Sequence, residues 1–194
     1  MTFFVSSVFL FMEVVKGGEE AVSEKELIER IQSGDKQALN ILIEQYYQLI
    51  FGYYYKATSG DYHQSKDLTQ EVFIKMVSSI GKYKNKTEFK NWLFTIASNH
   101  LKNYWRGVNR QPVYCELKEE VKSSENNIEQ GMEESEIRSA LNSLPKEQKE
   151  VIILRYYSGF QIKEIAKITK SKESTVKMRI KYAIQKLKKE MEGL

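Results

Sequence analysis

The sequence predicts an all-α fold of two small helical domains, at 23–107 and 134–194, joined by a flexible acidic linker at 108–133. Three observations carry this reading. Only two prolines and ten glycines interrupt 194 residues, and apolar residues recur at three- and four-residue spacing through most of the chain. A hydrophobic content of 41% with 12% aromatics supports a packed core and excludes global disorder. Charge is also segregated. There is no acidic residue between Glu88 and Glu116, while 116–136 holds eight Glu against two Lys and 160–192 holds ten Lys/Arg against four Glu. The net charge of +4 is modest. Two basic blocks around an acidic spacer nevertheless suit a polyanion touched at two places.

Residues 1–22 form an N-terminal extension. TFFVSSVFLFM is apolar but falls well short of the roughly 20 residues a bilayer span needs. It also lacks the basic flank and small-residue cleavage site of a signal peptide. A start codon placed too far upstream accounts for it, with Met12 or Val22 as alternatives to Met1; a short membrane-associating tail is the other reading. The single cysteine, Cys115, excludes an internal disulfide framework and fits a reducing, cytoplasmic setting.

The first helix opens at Ser23, with Glu26 three residues on as a capping box, and carries Leu27, Ile28 and Ile31 inward. The SGD of 33–35 breaks it. A second helix runs from Ala38 to Ala57 with Leu42, Tyr46, Leu49, Ile50 and Tyr53 on one face. After the turn 58–63 a third helix, 64–79, places Leu68, Val72, Phe73 and Met76 inward. The basic loop GKYKNK (81–86) leads into EFKNWLFTIASNHLKNYWR (88–106).

On a helical wheel Phe89, Trp92, Leu93, Ile96, Ala97, Leu101 and Tyr104 fall within one half and form the core stripe. Asn91, Thr95, Ser98, Lys102 and Arg106 occupy the other half with Asn99 beside them. This polar, cationic face offers amides and hydroxyls to phosphates or base edges. Trp105 lies off the stripe, either as a stacking surface or packed on the linker, and Tyr83 precedes it in the loop. Aromatics interleaved with Lys/Arg are what a single-stranded nucleic acid needs, for stacking and backbone neutralisation.

In the second domain Ile137, Ala140, Leu141 and Leu144 share a face, and Pro145 sits at the first turn of the next helix. Val151, Ile152, Leu154 and Arg155 carry that helix to Ser158-Gly159. FQIKEIAKITKSKESTVKMRIKYAIQKLKK then has the form of a helix-turn-helix. Ile162, Ile165, Ala166 and Ile168 are buried in its first helix, 161–169. Val176, Ile180, Ala183, Ile184 and Leu187 are buried in its second, 173–190. Lys172, Ser174, Thr175, Lys177, Met178, Lys181 and Tyr182 remain outward at the end that enters a major groove. A small bundle with a solvated lysine face is the plainer alternative.

An enzyme is not indicated. The chain has two histidines, His63 and His100, and no cluster with metal-ligand spacing, P-loop or dinucleotide fingerprint. No catalytic residue, metal or cofactor is expected.

In combination, DLTQEVFIKM (67–76), F-x-x-W-L-x-x-I-A-x-N (89–99) ending in WR, LPKEQKEVIILRYYSGFQIKEIA and STVKMRIKYAIQKL resemble the extracytoplasmic-function sigma factors of bacterial RNA polymerase. The resemblance covers about residues 25–190. It implies that 23–107 corresponds to sigma region 2 and 134–194 to region 4. Such a protein binds core polymerase at the β′ clamp coiled coil and the β flap, opens and reads the −10 element with region 2, and reads the −35 element with region 4. An anti-sigma factor is an implied partner. Asp67, Gln70, Glu71 and Lys75 match the polymerase-binding segment. Tyr83, Lys84 and Lys86 match the base-capturing loop, and Asn91, Thr95, Ser98, Asn99, Lys102, Trp105 and Arg106 the strand-contacting helix. Lys172, Ser174, Thr175, Lys177, Met178, Lys181 and Tyr182 match the −35 helix. Asn103, Met178 and Tyr182 depart from residues many relatives carry, which bears on promoter sequence. A helix-turn-helix repressor or response-regulator output domain is the competing class; it has no need of the acid-free, aromatic-rich helix at 89–106.

Overall fold

A computed structural model describes residues 22–84, 88–108 and 137–192. The extension before Val22, Lys86, Cys115 and the linker lie outside the described residues. Among the described residues the regular structure is all helical, and no helix is long and apolar enough to cross a membrane. The chain forms two compact units, Met1–Leu42 and Ile43–Leu194.

In the first unit, helix α1 spans Glu24–Gln32. Ser23 Oγ accepts the N–H of Glu26 at 3.2 Å, so the predicted cap forms. Gly34, at φ +95, lets the chain reverse, and Asp35 Oδ1 accepts the N–H groups of Gln37 and Ala38. Helix α2, Lys36–Ala57, therefore starts two residues earlier than its apolar pattern suggested. Asp35 also pairs with Arg30 at 2.8 Å, and with those backbone donors this holds its carboxyl below the usual range.

The second unit contains the rest of α2, helix α3 (Tyr62–Ser79) with a 3-10 turn (Ile80–Lys82), and α4 (Phe89–Val108). Asp61 Oδ1 caps the N–H of Gln64 at 2.9 Å, which draws the start of α3 forward to Tyr62. Aromatic rings stitch these helices together. Tyr46 meets Phe89 edge-on at 5.3 Å and Tyr53 meets Phe94 at 5.5 Å; Tyr47 stacks on Phe73 at 6.2 Å.

The C-terminal part adds α5 (the helical residues 137–143), α6 (Lys146–Ile152), α7 (Ile162–Thr169) and α8 (Glu173–Glu192). Leu141, Leu144, Ile152 and Ala183 form a core that Ile180, Ile184 and Leu187 complete. Ile137 was expected on that face but is 47% exposed, at the margin of the described residues. Pro145 stands just before α6 rather than inside its first turn. After Ile152 the helix loosens into a π-helical stretch, Ile153–Tyr157, rather than continuing as α-helix. Its end is marked by the N–H of Ser158 donating to Ile153 O at 3.0 Å, and Gly159 then turns the chain at φ +77.

Candidate nucleic-acid interface

Helix α4 carries the first cluster. Of the predicted core stripe, Phe89, Leu93, Ala97 and Leu101 are buried, while Ile96 and Tyr104 are half-buried. Trp92 is half-buried, with its ring 5.0 Å from Tyr83 and 5.4 Å from Phe89. Tyr83 is itself buried, edge-on to Phe89 at 5.6 Å. The expected stacking surface in the loop is thus spent on internal aromatic contacts, because Phe89 opens α4 directly beneath it. Lys84 is exposed.

The polar face of α4 is not open solvent. Phe94, which the wheel leaves off the core stripe, is fully buried, with the Phe160 ring 4.7 Å away. Ser98 is buried and donates to Glu150 Oε1, which also accepts the Tyr53 hydroxyl at 3.2 Å. Lys102 Nζ lies 3.7 Å from Glu150 Oε2 and donates to the Thr169 carbonyl at 3.0 Å. Asn91 Nδ2 donates to Glu164 Oε1 at 3.1 Å, and Lys90 Nζ to the Ser158 carbonyl at 2.8 Å. Helices α6 and α7 therefore cover the face bearing Asn91, Thr95, Ser98 and Lys102. Thr95 Oγ1 donates to the Asn91 carbonyl. Trp105 is half-buried, its carbonyl accepting from Lys146 Nζ at 3.3 Å and its ring 6.0 Å from that ammonium. Asn99 is half-buried, and Arg106, at the far end, is exposed.

Glu150 was passed over in the sequence, where it reads as one more charge in KEQKEV. It is only 1% exposed. Burial pushes its carboxyl above the usual range, opposed in turn by Lys102, Ser98, Tyr53 and Arg179. The signal that could have found it is its phase: it precedes the apolar run Val151–Leu154 with no polar break.

The second cluster is on α8. The turn before it is made by Lys170 in the left-handed region (φ 55) and by the N–H of Ser171 donating to Ala166 O at 2.9 Å. Arg179 reaches back to Ser171 Oγ at 3.1 Å and pins α8 to the turn. Val176 and Ala183 are buried, while Lys172, Ser174, Lys177, Met178, Lys181 and Tyr182 are exposed and Thr175 is half-buried. The structure thus brings all seven predicted residues to one end and one side of α8, free of the contacts that cover α4.

The third cluster, on α3, is exposed as its spacing suggested. Asp67, Gln70, Glu71 and Lys75 point outward, with Ile74 among them at 68% exposure. Glu71 Oε2 is held by His100 Nε2 at 2.8 Å and lies 3.5 Å from Lys75. His100 Nδ1 faces the Tyr54 hydroxyl at 3.2 Å. Burial, aided by nearby Lys75, keeps the imidazole below its usual range despite Glu71, so the neutral ring donates from Nε2. His100 is therefore a buried strut for an exposed carboxylate. Among the described residues no group of His, Cys, Asp and Glu is arranged to hold a metal.

Two family models match the chain: the one described as Sigma-70 region 2 over residues 42–111, and Sigma-70, region 4 over 134–187. The ECF RNA polymerase sigma-E factor of Haemophilus influenzae is 29% identical over 188 residues, which cover 90% of this chain and 98% of that protein. The ECF RNA polymerase sigma-E factor of Escherichia coli K12 is 30% identical over 175 residues, covering 83% and 90%. Among solved structures, CnrH in complex with the cytosolic domain of CnrY aligns with a TM-score of 0.66 at 19% identity, over 86% of this chain and 96% of that one. The sigma factor RpoE of Bartonella quintana, in complex with the anti-sigma factor NepR, aligns at 0.65 and 20%, over 80% and 98%. These structural likenesses bear on the fold.

Proposed function

Because this chain belongs to the sigma-70 family, among its extracytoplasmic-function members, we propose residue roles for the three clusters within an established frame. The frame is that of an alternative sigma factor, which joins core RNA polymerase, directs promoter-specific transcription initiation and is not an enzyme. Asp67, Gln70, Glu71 and Lys75 on α3 bind the β′ clamp coiled coil, with His100 holding Glu71 in place. The described loop residue Lys84, together with Asn91, Thr95, Ser98, Asn99, Lys102, Trp105 and Arg106, engages the opened −10 strand, while Tyr83 supports the loop from beneath through Phe89 and Trp92. Lys172, Ser174, Thr175, Lys177, Met178, Lys181 and Tyr182 read the −35 duplex, and the C-terminal helices meet the β flap.

One observation supports the assignment of α8 above all. Its outward residues are basic and hydroxylic, they cluster at the N-terminal end, and the turn geometry before them is that of a helix-turn-helix. An anti-sigma factor is the further expected partner, since the aligned RpoE structure is a complex of a sigma factor with an anti-sigma factor. A cytoplasmic location follows from work on polymerase and chromosomal DNA.

Transcription in vitro tests the reading. Core polymerase with the purified chain should yield transcripts from a small set of start sites on genomic template, sharing upstream elements near −10 and −35. Tight, specific duplex binding without core polymerase, together with no stimulated transcription, would instead identify a repressor.

A further inference from the structure

Met178 and Tyr182 stand out on the outward end of α8 because they are apolar, yet 44% and 51% exposed. They lie one helical turn apart on one face, with Lys177 and Lys181 beside them. In a major groove, Arg or Lys reads guanine, Asn or Gln reads adenine, a carboxylate reads cytosine, and an apolar side chain reads the thymine methyl. The part of α8 that would enter the groove, Glu173 to Tyr182, contains no Asn or Gln. Its one arginine, Arg179, is half-buried and donates to Ser171 Oγ at 3.1 Å. The first outward amide is Gln185, about two turns beyond Met178. Glu173 and the lysines can serve G·C pairs or phosphates, but an adenine finds no amide partner here. An A·T pair is therefore legible to this helix from its thymine side. We propose that Met178 and Tyr182 read thymine in the −35 element, by seating its C5-methyl against the thioether and the phenol ring.

This inference rests on the reading of α8 as the −35 helix and names the base that it recognises. Charge complementarity fixes the occupant as a duplex. Lys172 and Lys177 are exposed on the same end of the helix, where phosphate contacts would set its register and turn the apolar pair toward the base edges. The two side chains suit the task. The unbranched thioether of Met178 adapts its shape to a methyl group, and the ring of Tyr182 offers an apolar face while its hydroxyl stays in water. Residues one turn apart rise by about 6 Å, close to two base-pair steps of about 3.4 Å, so the pair covers neighbouring positions of the element. Burying one methyl group is worth about fourfold in affinity.

Deoxyuridine provides the test, because uracil keeps the pairing of thymine and lacks only the C5-methyl. Holoenzyme is assembled from core polymerase and the full chain, and each −35 thymine, on either strand of promoters mapped with that chain, is replaced in turn. Wild-type holoenzyme should lose about fourfold in promoter affinity at each thymine the pair touches. Met178→Ala and Tyr182→Ala holoenzymes should each bind the thymine promoter more weakly and lose the uracil penalty at the position that side chain faces. The penalty should stay constant as salt is raised, because a methyl contact releases no counterions. No penalty with the wild type, a penalty that both variants keep, or a −35 element without A·T pairs overturns the inference. The reading beneath it fails on a different result. If Lys172→Ala with Lys177→Ala changes neither duplex affinity nor its salt slope, α8 is not the −35 helix.

Discussion

Lys102 has both a proposed strand contact and a packing contact with Glu150, whereas Arg106 has only the first, so comparing their alanine variants separates strand binding from stability. Each substitution removes one cation from the strand path. For single-stranded DNA each phosphate contact contributes about −0.7 to the slope of log affinity against log salt, so a fourfold rise in salt weakens the wild type by about 2.6-fold more than either variant. Arg106 is exposed, and its Nε meets only the Lys102 carbonyl at 3.3 Å, so Arg106→Ala should stop at that effect. Lys102→Ala also removes the ammonium 3.7 Å from the Glu150 carboxylate, which is 1% exposed, and leaves Arg179 as the cation still acting on it. Loss of that nearby cation should lower the stability of the fold, whereas Arg106→Ala should not. The assay is a salt titration of labelled single-stranded −10 oligonucleotide with holoenzyme, paired with thermal unfolding of each variant. Both variants should flatten the salt slope, and only Lys102→Ala should lower Tm. An unchanged slope in both would refute the phosphate role, and equal melting temperatures would refute the double use of Lys102.

Three further outcomes are expected. Glu150 binds its proton more tightly in the fold than in the unfolded chain, so its contribution to stability is present as pH falls toward the ordinary carboxylate range and is lost as pH rises through the elevated value. Tyr53 on α2, Ser98 and Lys102 on α4 and Arg179 on α8 surround it, and Glu164 carries the opposite sign. For Glu164, burial raises the carboxyl but the Gln161 N–H, Asn91, Lys90 and Lys167 together hold it low. The quantity to measure is therefore the difference in Tm between wild type and Glu150→Gln, which should move in favour of the wild type as pH falls from neutral to mildly acidic. Phe89→Ala removes a ring that is 1% exposed among Tyr46, Tyr83 and Trp92, and should cost about 3–5 kcal/mol, lowering Tm by about 2–4 °C per kcal/mol in thermal unfolding. Lys181→Ala should alter the ranking of −35 variants in transcription while leaving −10 preference and melting temperature as they were, since Lys181 is exposed.

Much of the fold was legible because helix periodicity records burial within each helical set. Leu68, Val72, Phe73 and Met76 on α3, and Val176 and Ala183 on α8, are buried where their spacing put them. Boundaries shifted by a residue or two where a cap acted, as at Asp35 and Asp61, because a side-chain acceptor can start a helix before its first apolar residue. The π-helical stretch at Ile153–Tyr157 left no mark in the apolar pattern, since one extra residue in a turn changes the phase only after it has occurred. For the candidate sites, the α8 and α3 clusters lie on the surfaces their spacing implied. The α4 cluster differs in its surroundings.

What the sequence by itself determined was the all-helical architecture, the outward basic end of α8 and the kinship with sigma factors. Each of these depends on residue type at short spacing, or on motifs in order along the chain. Only the tertiary structure decided the environment of Ser98, Lys102, Phe94 and Glu150. Ser98 and Glu150 are 52 residues apart and share a hydrogen bond. A polar face and a charged residue read as solvated when each is projected on its own helix. Packed together, they become a buried contact whose energetics neither helix encodes alone.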